Sequence, residues 1–136
     1  MNEYKALDKL KKVLYYKLKT EGILKGEYLL GAICINRRGR VLSMGFNSYT
    51  KTHPLQSKYA NKLNIHHKVY LHAELSALLK SKEKPNSLLV ARINRHGQLT
   101  TSKPCLVCQL AMREAGVKQV FYVNEKSELI LLKESV

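Results

Sequence analysis

The chain has 136 residues, enough for one domain that buries a single core without covalent staples. Its 45% hydrophobic content excludes a disordered chain, no apolar run approaches the ~20 residues of a membrane span, and three cysteines cannot build a disulfide framework. Lys and Arg outnumber Asp and Glu by 24 to 10, which favours phosphorylated or polyanionic partners unless the excess is only a soluble basic surface.

Residues 2–20 carry Tyr4, Leu7, Leu10, Leu14 and Leu18 at three- and four-residue intervals, which predicts an amphipathic helix ending before Gly22. This opening stretch is charged and lacks the apolar core of a secretory signal, so the expected location is cytoplasmic. Tyr28 to Asn36 and Val41 to Tyr49 read as two strands of a hairpin, joined by Arg37-Arg38-Gly39-Arg40. Residues 50–71 show little periodicity and are expected to form a functional loop with at most a helical turn at Lys58–Lys62.

A helix is predicted from His72 to Ser81, with Leu75, Leu78 and Leu79 on one face. Ser87 to Asn94 is a third strand, Pro104 opens a helix that stops at Gly116, and Lys118 to Val123 is a fourth strand. Glu128 to Leu132 is a candidate fifth. Only Asn124 to Ser127 separate it from the fourth, too few for a crossover, so the two must run antiparallel. The expected architecture is a single α/β domain over 1–136, with helices on both faces of a mixed sheet of four to five strands.

Two short stretches carry chemistry. His72-Ala73-Glu74 and Pro104-Cys105-Leu106-Val107-Cys108 together supply three zinc ligands, His72, Cys105 and Cys108, and one carboxylate that need not bind metal. A catalytic zinc site needs that inventory: three protein ligands, an open fourth position and a proton carrier. A structural zinc site would instead need a fourth ligand, for which His66, His67 and His96 are available. Helix starts at both motifs would also favour thiolates through the positive end of each helix dipole.

The order H-x-E then P-C-x-x-C resembles the cytidine deaminase-like superfamily, over roughly Tyr28 to Val123. The resemblance implies a three-layer α/β fold, a zinc cofactor and a nucleoside or nucleotide substrate. It also implies hydrolytic conversion of cytosine to uracil, in which zinc-bound hydroxide attacks C4 while Glu74 shuttles protons and the backbone N–H of Cys105 helps fix the attacking oxygen. Asn47, closing the second strand, takes the place of an asparagine that hydrogen-bonds the sugar. Thr101, between the hydroxyls of Thr100 and Ser102, falls where related deaminases carry a threonine near the base. Ala73, Pro104 and His53 complete the candidate substrate-binding set. Cys34 reads as core filling.

The histidine at position 72 is similar to that of deoxycytidylate, tRNA-adenosine and polynucleotide deaminases, whereas the antiparallel last strand departs from those subgroups. Deoxycytidylate is the first candidate substrate. A base within single-stranded DNA or RNA is the second, with Tyr49, Tyr59 and Tyr70 available for stacking. A non-catalytic, zinc-stabilised nucleic-acid-binding module is the third. Some relatives bind a second metal, for which His66 and His67 are candidates, and family members commonly assemble as homo-oligomers. No membrane partner is expected.

Overall fold

The computed structural model describes residues 2–24, 27–65 and 70–132. Helix α1, Glu3–Glu21, begins at Asn2, whose side chain accepts a hydrogen bond from the Lys5 N–H at 2.9 Å. Its buried face is Ala6, Leu10 and Leu14, one residue in every four, with Leu7 and Leu18 at the flanks. Tyr4, expected on that face, is instead exposed, because the stripe runs through the small Ala6.

The hairpin forms as expected from β1, Leu29–Ile35, and β2, Val41–Phe46. The segment expected to be a loop contains helix α2, Pro54–Lys62. His53 caps it by accepting the Leu55 N–H at 3.1 Å, and Pro54 occupies the first turn, where its missing N–H costs nothing. The buried residues of α2 are Gln56 and Ala60, a polar and a small residue four apart. That pattern carries almost no hydrophobic signal, although it packs the helix beside α4.

Helix α3, Ala73–Lys80, is followed by β3, Ser87–Ile93, a short β4, Leu99–Thr100, helix α4, Leu106–Glu114, then β5, Gln119–Val123, and β6, Leu129–Leu131. The sheet order is β2-β1-β3-β5-β6. Six strands thus stand where four to five were expected among the described residues. The additional one is β4, whose two residues pair antiparallel with Arg92 and Ile93. β5 pairs in parallel with residues 87–89 of the same strand. As the short spacer required, β5 and β6 are antiparallel.

Strand parity builds the layers. In β1 and β3, Ile33, Ile35, Leu89, Ala91 and Ile93 pack on α1, whereas Ala32, Cys34, Leu88 and Val90 pack on α3 and α4. Cys34 is therefore in the core, and burial pushes its thiol up to about 11. The face of α3 is also set by small residues: Ala73 and Ala77 are buried and Leu79 is exposed.

Gly45 fixes the depth at which α3 lies on the sheet. A Cβ there would overlap the backbone nitrogen of Ala77 and come within 2.7 Å of the Ala73 carbonyl oxygen. Beside it, the Ser43 hydroxyl donates to the Ala77 carbonyl at 2.7 Å. No helix among the described residues is long and apolar enough to cross a membrane.

Candidate metal centre

The two motifs meet because each opens a helix on the same face of the sheet. His72 is the N-cap of α3 and Cys105 the N-cap of α4, both in extended backbone conformation and neither using its side chain to cap. Their side chains instead converge. His72 Nδ1 lies 3.5 Å from Cys105 Sγ and 3.3 Å from Cys108 Sγ. Zn–S bonds of ~2.3 Å and a Zn–N bond of ~2.05 Å at tetrahedral angles separate N from S by about 3.6 Å. The three donor atoms, all within 4.8 Å of one another, fit a zinc ion with little rearrangement.

Glu74 is the second residue of α3, only 3% exposed, and it lines the same cavity as His72 and Cys105. Burial, followed by the Cys105 charge, pushes its carboxyl up. Hydrogen bonding from Cys108 holds Cys105 down to about 4, against burial and with help from His72. The same bond, together with burial, holds Cys108 well above the ordinary thiol range. One thiolate is thus already favoured before metal binds, and ligation of zinc would deprotonate the other.

Several surrounding contacts hold the triad in place. The Gln56 side-chain carbonyl accepts the His72 backbone N–H at 3.2 Å from inside the core, where Gln56 is 0% exposed and its Nε2 has no hydrogen-bond partner among the described residues. Ser102 joins β3 to β5: its hydroxyl donates to the Val90 carbonyl at 2.8 Å and accepts the Val123 N–H at 2.9 Å. Gln109 reaches back from α4 to the Pro104 carbonyl at 2.9 Å. These bonds fix the chain entering Cys105.

The cavity at the centre encloses about 430 Å³, within the usual range of small-molecule sites. A larger cleft of about 630 Å³ opens at the far end of the sheet, around the 37–40 turn, and contains none of the triad. Of the expected substrate residues, Asn47 and Ala73 line the 430 Å³ cavity. The Asn47 amide also binds the chain: its oxygen accepts the Leu30 N–H at 2.9 Å and its nitrogen donates to the Tyr28 carbonyl at 3.1 Å.

His53, Thr101 and Pro104 are not on the cavity wall. His53 caps α2, Thr101 is exposed, and Pro104 is buried with its carbonyl accepting from Gln109. His66 and His67 lie outside the described residues. Sequence reasoning missed Gln56, Ser102, Tyr28 and Arg92. Only Ser102, beside Thr101, was close to a named candidate.

Residues 7–124 match the family described as the cytidine and deoxycytidylate deaminase zinc-binding region. The fold is similar to that of cytidine deaminase from Burkholderia pseudomallei, at 16% identity and TM-score 0.58, covering 98% of this chain and 93% of that one. It is also similar to cytidine deaminase from Mycobacterium leprae, at 15% identity and TM-score 0.52, covering 92% of each chain. No curated protein sequence matches the chain. With the family's zinc-binding region spanning nearly its whole length and a His/Cys/Cys group able to hold the metal, this chain belongs to the cytidine and deoxycytidylate deaminase family.

Proposed function

We propose that the protein hydrolytically deaminates cytosine in a nucleoside or nucleotide, with deoxycytidylate the first substrate to test. The observation that carries this reading is the buried Glu74 carboxyl on the wall of a cavity that also holds His72 and Cys105. A structural zinc site has no use for such a group, which speaks against a non-catalytic zinc module.

Zinc held by His72, Cys105 and Cys108 supplies Lewis acidity and water of lowered pKa. Glu74 would take a proton from the attacking water and pass it to N3 of the ring as oxygen adds to C4, then take the remaining proton from the new C4 hydroxyl and deliver it to the departing amine. The Cys105 backbone N–H, at the start of α4, donates to the oxygen being added. Ala73, on the cavity wall, bounds the base, and the second amide hydrogen of Asn47 is available for a sugar hydroxyl.

Exposed Tyr49 and Tyr70, 45% and 48% accessible, stand on the cavity wall and support a second reading, deamination of a base in a single strand. Incubating zinc-loaded protein with deoxycytidine, deoxycytidylate, a cytosine-containing single strand and their adenine counterparts, and measuring ammonia, separates these readings. Release from a cytosine mononucleoside or mononucleotide supports the first. Release from the strand alone supports the second, and its binding would weaken with salt at a slope of about −0.7 per phosphate contact.

A further inference from the structure

The cavity carries a fixed positive charge that deamination itself does not use. On the helix-facing side of β3, Leu88 and Val90 are buried, and Arg92 is the next residue in that row. It emerges at the cavity wall, across the sheet from Leu30. Its Nε donates to the Thr100 hydroxyl at 2.8 Å, and its guanidinium carbon lies 4.0 Å from the centroid of the Tyr28 ring.

Tyr28 is itself anchored. Its carbonyl accepts from Asn47 Nδ2 at 3.1 Å and from the Tyr49 hydroxyl at 3.3 Å, and its N–H donates to the Tyr49 oxygen at 2.8 Å. The guanidinium is therefore held on one edge by β4 and on one face by an aromatic ring, which reduces the entropy lost on engaging a ligand. Among the described residues no carboxylate lies within 4.0 Å of it. Lys103 also lines the cavity, and Glu74 is the cavity's one acidic side chain among the described residues. A strand-end arginine serving only to dock β4 would explain the Thr100 bond, but not a second cation on the same wall.

We propose that Arg92, assisted by Lys103, recognises a phosphate on the substrate and selects phosphorylated cytidine compounds over the free nucleoside. This rests on the deaminase reading above. A planar guanidinium whose terminal nitrogens make no hydrogen bond among the described residues matches two phosphate oxygens, and Lys103 adds a mobile point charge. The phosphate is either the monoester of a mononucleotide or a diester within a strand, each of which presents at least two non-bridging oxygens.

The test uses two readouts. Binding of deoxycytidine, deoxycytidylate and a short cytosine-containing strand is measured by calorimetry on zinc-loaded Glu74→Gln protein, so that it does not depend on turnover. Steady-state kinetics are measured in the otherwise unaltered chain. A phosphorylated compound is expected to bind at least about 10-fold more tightly than deoxycytidine, the size of a charge-assisted hydrogen bond.

Arg92→Gln should abolish that preference, acting through KM, by weakening the phosphorylated compound far more than deoxycytidine. Arg92→Lys should restore part of it, and Lys103→Gln, at an exposed position, should lose a smaller part. Preference for deoxycytidylate assigns the monoester, and preference for the strand assigns the diester. Equal binding of all three compounds, or a preference that survives Arg92→Gln, overturns the proposal. Absence of turnover with an Arg92-dependent binding preference intact would remove the deaminase reading and leave the phosphate site standing.

Discussion

The side-chain carbonyl of Gln56 and the backbone N–H of His72 are joined by a 3.2 Å hydrogen bond inside the protein core. The bond ties α2 to the first candidate zinc ligand, because His72 is the residue at which the chain turns into α3. Its consequence is a dependence of metal affinity on a residue that touches no metal. Gln56→Met should fold, lose about 1–3 kcal/mol from the buried N–H deprived of this acceptor, and bind zinc about 10-fold more weakly. Chelator competition measures the affinity, and an unaltered value would make Gln56 a packing residue alone.

Cys105→Ser and Cys108→Ser should each lose zinc and thermal stability together, since both sulfurs face one imidazole nitrogen, at 3.5 and 3.3 Å. Metal content by mass spectrometry should fall from about one zinc per chain, the stoichiometry of a single tetrahedral site. Full occupancy in both variants would exclude these sulfurs as ligands.

Glu74→Gln should retain zinc and the fold while losing at least ~10²-fold in turnover, the usual worth of a general acid–base group. The amide preserves the shape of a side chain that is 3% exposed, so a loss of zinc or of melting temperature in this variant would point to a structural role instead.

Gly45→Ala tests how tightly α3 sits on the sheet. The new methyl would collide with the backbone at Ala77, which no rotamer change can relieve. A destabilisation of about 1–3 kcal/mol is expected, read by chemical denaturation, and a displaced α3 should weaken zinc binding as well. A neutral substitution would show that β2 and α3 separate easily.

The candidate metal centre was legible because zinc chemistry demands particular residue types, and here they stand at helix starts. Both motifs do open helices, and His72, Cys105 and Cys108 do converge. The antiparallel β5–β6 pair was legible from chain length, since the residues between Val123 and Glu128 can only turn. Elements whose contacts are polar or small were not. α2 buries Gln56 and Ala60, so hydrophobic periodicity says little about it, whereas α1 was legible from Leu10 and Leu14 although its buried face runs through Ala6 rather than Tyr4. β4 is two residues long and exists because β3 extends beyond β5. Arg92 resembles any surface cation in the sequence. Its significance comes from Tyr28 and Thr100, which only the sheet brings to it.

Hydrolysis at C4 of cytosine is the central claim, and the origin of the product's oxygen tests it most directly. Zinc-loaded protein is incubated with deoxycytidylate and deoxycytidine in ¹⁸O-labelled water, and ammonia and product mass are followed together. The account predicts one ammonia released per uracil formed, one solvent oxygen in each product, and loss of both signals in Glu74→Gln. A folded, zinc-saturated protein that releases no ammonia from any cytosine nucleoside, nucleotide or single strand would contradict it.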